Sequence, residues 1–117
     1  MLTETLARIE ALKAELESLR PLKPEHEHRL WQKLRLEWNY NSNHIEGNTL
    51  TYGETYLLLI HDKTNGGHTM REFEEMKAHD LAVSKVVDWS ADKERSLTEA
   101  DVRDLNKILL KEPFWKE

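Results

Sequence analysis

Apolar residues recur at steps of three and four from the start of the chain. Leu2, Leu6, Ile9, Leu12, Leu16 and Leu19 form one stripe, and Arg8, Glu10, Lys13, Glu15, Glu17 and Arg20 fill the other faces, so the spacing predicts an amphipathic helix over residues 3 to about 20. Thr3 can cap its start and Pro21 prevents its extension. Such a stripe either lies on the rest of the protein or meets a second copy. Fewer than three heptads are present, and no Asn or Lys at a seam position sets a register.

A second helix is expected to begin near Pro24, with Glu25 and Glu27 suited to its positive end. Leu30, Trp31, Leu34 and Trp38 then give it a broad, bulky face that reads as core. Thr51 to Glu54 has capping-box spacing and opens a short helix carrying Leu57, Leu58, Leu59 and Ile60. After the turn sequence Asp62 to Gly67, Thr69 to Glu72 repeats the box. The helix that follows carries Phe73, Met76, Leu81, Val83, Val86, Val87 and Trp89, to about Ser90. Thr98 to Asp101 is a weaker version, with Leu97 and Val102 spaced as a hydrophobic staple ahead of Leu105, Ile108 and Leu109. Pro113 closes the last helix, and Phe114 and Trp115 have no later segment to cover them, so they fold back or meet a partner beyond Glu117. The fold class is all-α: a single helical bundle, residues 23–117, preceded by an amphipathic helix in residues 1–22.

Composition narrows the function classes. With 117 residues, 17 Lys and Arg against 22 Asp and Glu, and a net charge of −5, the chain does not hold nucleic acid or an anionic membrane by bulk charge. The absence of Cys removes disulfide scaffolds, thiolate metal sites and thiol catalysis. No apolar run reaches membrane-spanning length and no signal peptide is evident, so a cytoplasmic protein is expected. Arg29, Lys33 and Arg35 interleave with Trp31 and Trp38, but Glu25, Glu27 and Glu37 dilute that patch as a nucleic-acid groove. The six histidines lack metal-site spacing: Glu75 and His79 are four apart rather than three, and no second such pair exists, so no metal is expected. No nucleophile elbow or phosphate-cradling glycine loop occurs.

The stretch from Asn39 to Gly47 breaks local rules in a cluster. Asn39, Asn41, Ser42 and Asn43 are poor helix formers where the preceding face implies a continuing helix. If Gly47 ends that helix in the left-handed region, Glu46 stands in its last turn against the macrodipole, and Ser42 shares its face four residues earlier. Violations of local preference concentrate at functional sites. The other reading makes Asn43 the cap of a new turn with Glu46 at its third position, a polar connection between two helices.

The spacing Ser42, Glu46, Gly47 resembles the inhibitory motif of Fic (filamentation induced by cAMP) proteins, a Ser or Thr followed four residues later by Glu and then Gly or Asn. The eleven-residue run from Asn41 to Thr51, with Glu54 and Leu57 to Leu59 behind it, is similar to bacterial members that carry the motif ahead of their core. Looser likeness continues through Glu75, His79 and Ala82 to Leu97, Thr98 and Leu105, covering nearly everything from Leu19 onward. The resemblance implies an all-helical fold whose intact members transfer AMP from ATP to a protein hydroxyl with magnesium. It further implies that Glu46 pairs with an arginine of the catalytic motif and obstructs the ATP γ-phosphate, with Ser42 as its helical partner.

The catalytic signature of that family, His-Pro-Phe followed by an acidic, glycine-rich and arginine-ended stretch, does not occur in these 117 residues, and the flap that aligns the target peptide would follow Glu117. No catalytic, cofactor-binding or metal residue is therefore assigned, and ATP and magnesium are implied only for an intact protein. The chain is expected to be the N-terminal autoinhibitory portion of a Fic-type adenylyltransferase, with the catalytic core as its partner in the same chain. The alternatives are a freestanding antitoxin-like module that inhibits a separate Fic protein in trans, and a purely structural helical protein; a homo-oligomer is compatible with each. Incubated with labelled ATP, magnesium and lysate, the purified chain should give no labelled protein above a blank, and reproducible transfer would overturn this expectation.

Overall fold

The computed structural model describes residues 1–110, so the expectations for Pro113, Phe114 and Trp115 fall outside the described residues. Five helices follow in order: α1 (Leu2–Ser18), α2 (Pro24–Ile45), α3 (Tyr52–His61), α4 (Met70–Ala91) and α5 (Glu99–Leu110). No strand occurs among the described residues, and the fold is all-α as expected. Two compact units divide between Gln32 and Lys33, inside α2.

In the first unit, α1 starts two residues earlier than a Thr3 cap would place it. Met1 is the N-cap, without a side-chain cap, and the Thr5 hydroxyl donates instead to the Met1 carbonyl at 3.0 Å. Helix α1 buries none of its residues. Within this unit nothing covers the apolar stripe from Leu2 to Leu19.

In the second unit, Leu50, Leu58 and Met76 form the core, with Leu59 and Phe73 packed against it. Helix α4 packs against both α3 and α5. The expected core face of α2 is corrected: Leu34 and Trp38 are nearly half exposed, while Leu36, Asn39 and Asn43 are buried. The buried stripe of α2 is largely polar, and apolar periodicity does not register it.

Capping fixes the ends of the elements. Thr51 and Glu54 exchange reciprocal bonds at the start of α3, and Thr69 and Glu72 do the same for α4. At α5, the Thr98 N–H donates to Asp101 and the Asp101 N–H donates back to the Thr98 hydroxyl. The staple expected between Leu97 and Val102 is not what seals this end, since both are mostly exposed. Buried Asp101 pairs instead with Arg95, whose guanidinium lies over the Trp89 ring at 4.8 Å. Helix α3 ends on Asp62 at φ 53, a left-handed conformation that costs a non-glycine residue energy, and Lys77 of α4 bonds its carboxylate at 2.6 Å.

His68 ties the two capping boxes together. Its Nε2 lies 2.7 Å from Glu54 and its Nδ1 3.2 Å from Glu72, while Glu72 also accepts from the Thr49 hydroxyl and backbone N–H. Desolvation pulls the His68 pKa down, but bonds to the two carboxylates outweigh it and hold the group above 6.5. The Thr49 hydroxyl and N–H, helped by His68 and Thr69, draw the Glu72 carboxyl down to about 2. A raised histidine contributes stability below its unfolded pKa and loses it as pH rises through the folded value; a lowered glutamate loses its contribution as pH falls from 4.5 toward about 2. Half-buried His79, lowered by desolvation, acts in the opposite sense to His68. The informative quantity is therefore the difference in Tm between wild type and His68→Gln: it should be largest between pH 4.5 and 6.5 and shrink above that window. A difference independent of pH would show that His68 acts only by shape.

Candidate functional site at the end of helix α2

The last turns of α2 are held by a ladder of side chains on one face. Arg35 makes a two-pronged pair with Asp80 of α4, both bonds at 2.7 Å. Asn39, fully buried, donates from Nδ2 to the Arg35 carbonyl and to Asp80, both at 3.0 Å. With both amide hydrogens committed, its Oδ1 can only accept, so His79 must carry its proton on Nδ1 to make their 2.6 Å bond. One turn on, Asn43 donates to the Asn39 carbonyl at 2.8 Å and to the Met76 sulfur at 3.3 Å. Each rung joins α2 to α4.

Helix α2 continues through this run to Ile45, so Asn43 is a buried helical residue and not the cap of a new turn. It then ends in a Schellman motif: the Gly47 N–H bonds the His44 carbonyl at 3.0 Å, and the Asn48 N–H bonds the Asn43 carbonyl at 2.9 Å. This closure requires positive φ at Gly47, which has φ 95. Asn48 then stitches the turn to its surroundings, donating to the Glu72 carbonyl and accepting from the Leu50 N–H. On the outer side, Tyr40 stacks on His44 and meets Tyr52 edge-on.

Ser42 is half-buried, and Glu46 stands exposed at the helix end. Glu46 forms no ion pair among the described residues. The structure thus places Ser42, Glu46 and Gly47 on one turn with the carboxylate free. It also assigns structural work to residues that sequence reasoning gave other roles, Arg35, Asn39, Asn43 and His79, and to Asp80, which it passed over. Their signal was the four-residue spacing of Arg35, Asn39 and Asn43 on a single helical face. No group of three or more metal-ligating side chains is assembled among the described residues.

Gly47 supplies the test of this geometry. Open space surrounds the position a Cβ would take, so a substitution there meets only the backbone penalty of positive φ. Gly47→Ala should lower stability by about 1 kcal/mol and Gly47→Asn by less, as read by urea denaturation. Equal costs for the two would mean that the turn is not held left-handed in solution.

No protein-family model and no curated protein matches this chain. Among solved structures, the crystal structure of a Fic domain-containing signaling protein from Bacteroides thetaiotaomicron VPI-5482 is similar, at a TM-score of 0.82 and 48% identity. The match covers 92% of this chain and 40% of that one, so the chain spans less than half the length of that protein. Identity at this level across almost the whole chain goes beyond a shared helical architecture, and it relates the chain to a Fic domain-containing signaling protein.

Proposed function

We propose that this chain is the N-terminal, autoinhibitory portion of a Fic-type protein adenylyltransferase, and that Glu46 is the inhibitory group. The observation that carries this reading is the free carboxylate of Glu46, set on the Ser42-to-Gly47 turn of a chain 48% identical to a Fic domain-containing protein. The physics of the turn favours a cationic partner. Carbonyl groups at a helix C-terminus carry partial negative charge, so Glu46 and the end of α2 together offer a strong acceptor site for a guanidinium. The Schellman closure and the ladder to α4 hold that site in one place. In this reading Glu46 binds an arginine of the catalytic part and withholds it from the γ-phosphate of ATP, while the Ser42 hydroxyl supports the same contact.

ATP and magnesium belong to the catalytic part, and none of the described residues is assigned to hold either. The reading places the protein in the bacterial cytoplasm, where both are present; no helix among the described residues is long and apolar enough to cross a membrane.

The test sets Glu46→Gly in the protein that joins this chain to its catalytic part or, if the two are separate chains, in the chain added to that part in trans. AMP transfer from labelled ATP should rise roughly 10- to 100-fold over wild type, the span expected for losing a charge-assisted contact. Ser42→Ala should raise it roughly two- to tenfold, as for a neutral hydrogen bond. Melting measured on the same proteins should change little, because Glu46 touches no charged partner in the second unit. Unchanged transfer with a large fall in Tm would make Glu46 a structural residue and remove the proposal.

A further inference from the structure

Helix α1 takes no part in the reading above. Within the first unit nothing covers its stripe, and neither Arg8 nor Glu15 beside it is ion-paired among the described residues. In heptad terms Leu2, Ile9 and Leu16 occupy one seam position, and Thr5, Leu12 and Leu19 the other. Leu19 caps the helix in helical conformation, so it belongs to the same seam. Leu6 and Lys13 flank the seam on one side, Arg8 and Glu15 on the other.

These positions distinguish the two ways of pairing α1 with a second copy. Laid antiparallel, Leu2 meets Leu19 of the other copy, Thr5 meets Leu16 and Ile9 meets Leu12, so every layer contains a large apolar side chain. Arg8 of each copy then faces Glu15 of the other, twice by symmetry, and Leu6 lies along the apolar stem of the opposing Lys13. The two macrodipoles also oppose each other. Laid parallel, Thr5 would face Thr5, and Arg8 would face Lys13 twice. The offsetting pair between Glu15 and Arg20 would need Arg20, which lies beyond the end of α1 at Ser18.

We infer that α1 is a self-association surface, whose partner is a second copy of this chain bound antiparallel through the Leu2 to Leu19 seam, with register set by paired Arg8 and Glu15. A seam of 17 helical residues is short for a coiled coil, so the dimer should be concentration-dependent and sensitive to its flanking charges.

Sedimentation equilibrium of the whole chain across micromolar concentrations tests this, with circular dichroism to follow helix content. Arg8→Glu should weaken dimerisation by roughly tenfold, since two attractive pairs become repulsive. Glu15→Arg should do the same, and the double exchange should return affinity close to wild type. Restoration by the double exchange is not expected from helix propensity alone, because Arg8→Glu sets a second carboxylate one turn from Glu4 within the same helix. Strengthening by Arg8→Glu would mean parallel pairing. A monomer at every concentration, or a dimer indifferent to all three variants, would equally overturn the inference.

Discussion

Asn39 is the constraint on which the second unit depends. Its carboxamide is fully buried and fully used, with Asp80 and the Arg35 carbonyl on one end and His79 on the other. Burying such a group unpaired would cost about 1–3 kcal/mol, and among the described residues no buried side-chain polar atom lacks a partner. Apolar contact is non-directional, and a core as small as Leu50, Leu58 and Met76 leaves helices free to slide or rotate. The ladder through Arg35, Asn39 and Asn43 has one register. It fixes both the rotation of α2 against α4 and its position along the axis.

That division of labour explains which parts of the fold are legible in the sequence. Helix starts at Thr51, Thr69 and Thr98 can be read because capping is local: three residues of spacing contain the whole interaction. The inward face of α2 cannot be read from apolar periodicity, because its contacts are polar and their partners lie some forty residues away on α4. Leu34 and Trp38 follow the same period and attract the assignment, yet both remain nearly half exposed. At α5 the staple spacing is present, but a buried carboxylate and an arginine stacked on Trp89 make the connection. The α1 stripe is plain in the sequence; what covers it is not, since covering surface is a property of three dimensions.

The candidate site is legible for a different reason. The residue that follows Glu46 here takes positive φ, where Gly is cheapest and Asn next. The short spacing from Ser42 to Gly47 therefore encodes a helix end, and of the two readings left open the structure has the one in which Gly47 is left-handed. Reading the neighbouring asparagines as part of the same functional signal merges two different causes. Asn39 and Asn43 point inward and hold the helix, whereas Ser42 and Glu46 lie on the next strip of the surface and leave it.

On the proposed reading, two faces of one helical segment serve two tasks, and the tasks are mechanically linked. A carboxylate at a frayed helix end would spend its time dispersed over many positions and would meet a guanidinium only at an entropic cost. Here the Schellman closure at Gly47 and the Asn43 rung a turn before it hold the backbone carrying Glu46 from both sides, while its side chain stays free. The buried polar ladder is costly as a device for stability, because a leucine core would fill the same volume without desolvating amides. On the proposed reading it makes sense as a device for position: a protein that presents one charged group to a partner gains more from knowing where that group is than from a slightly deeper energy well.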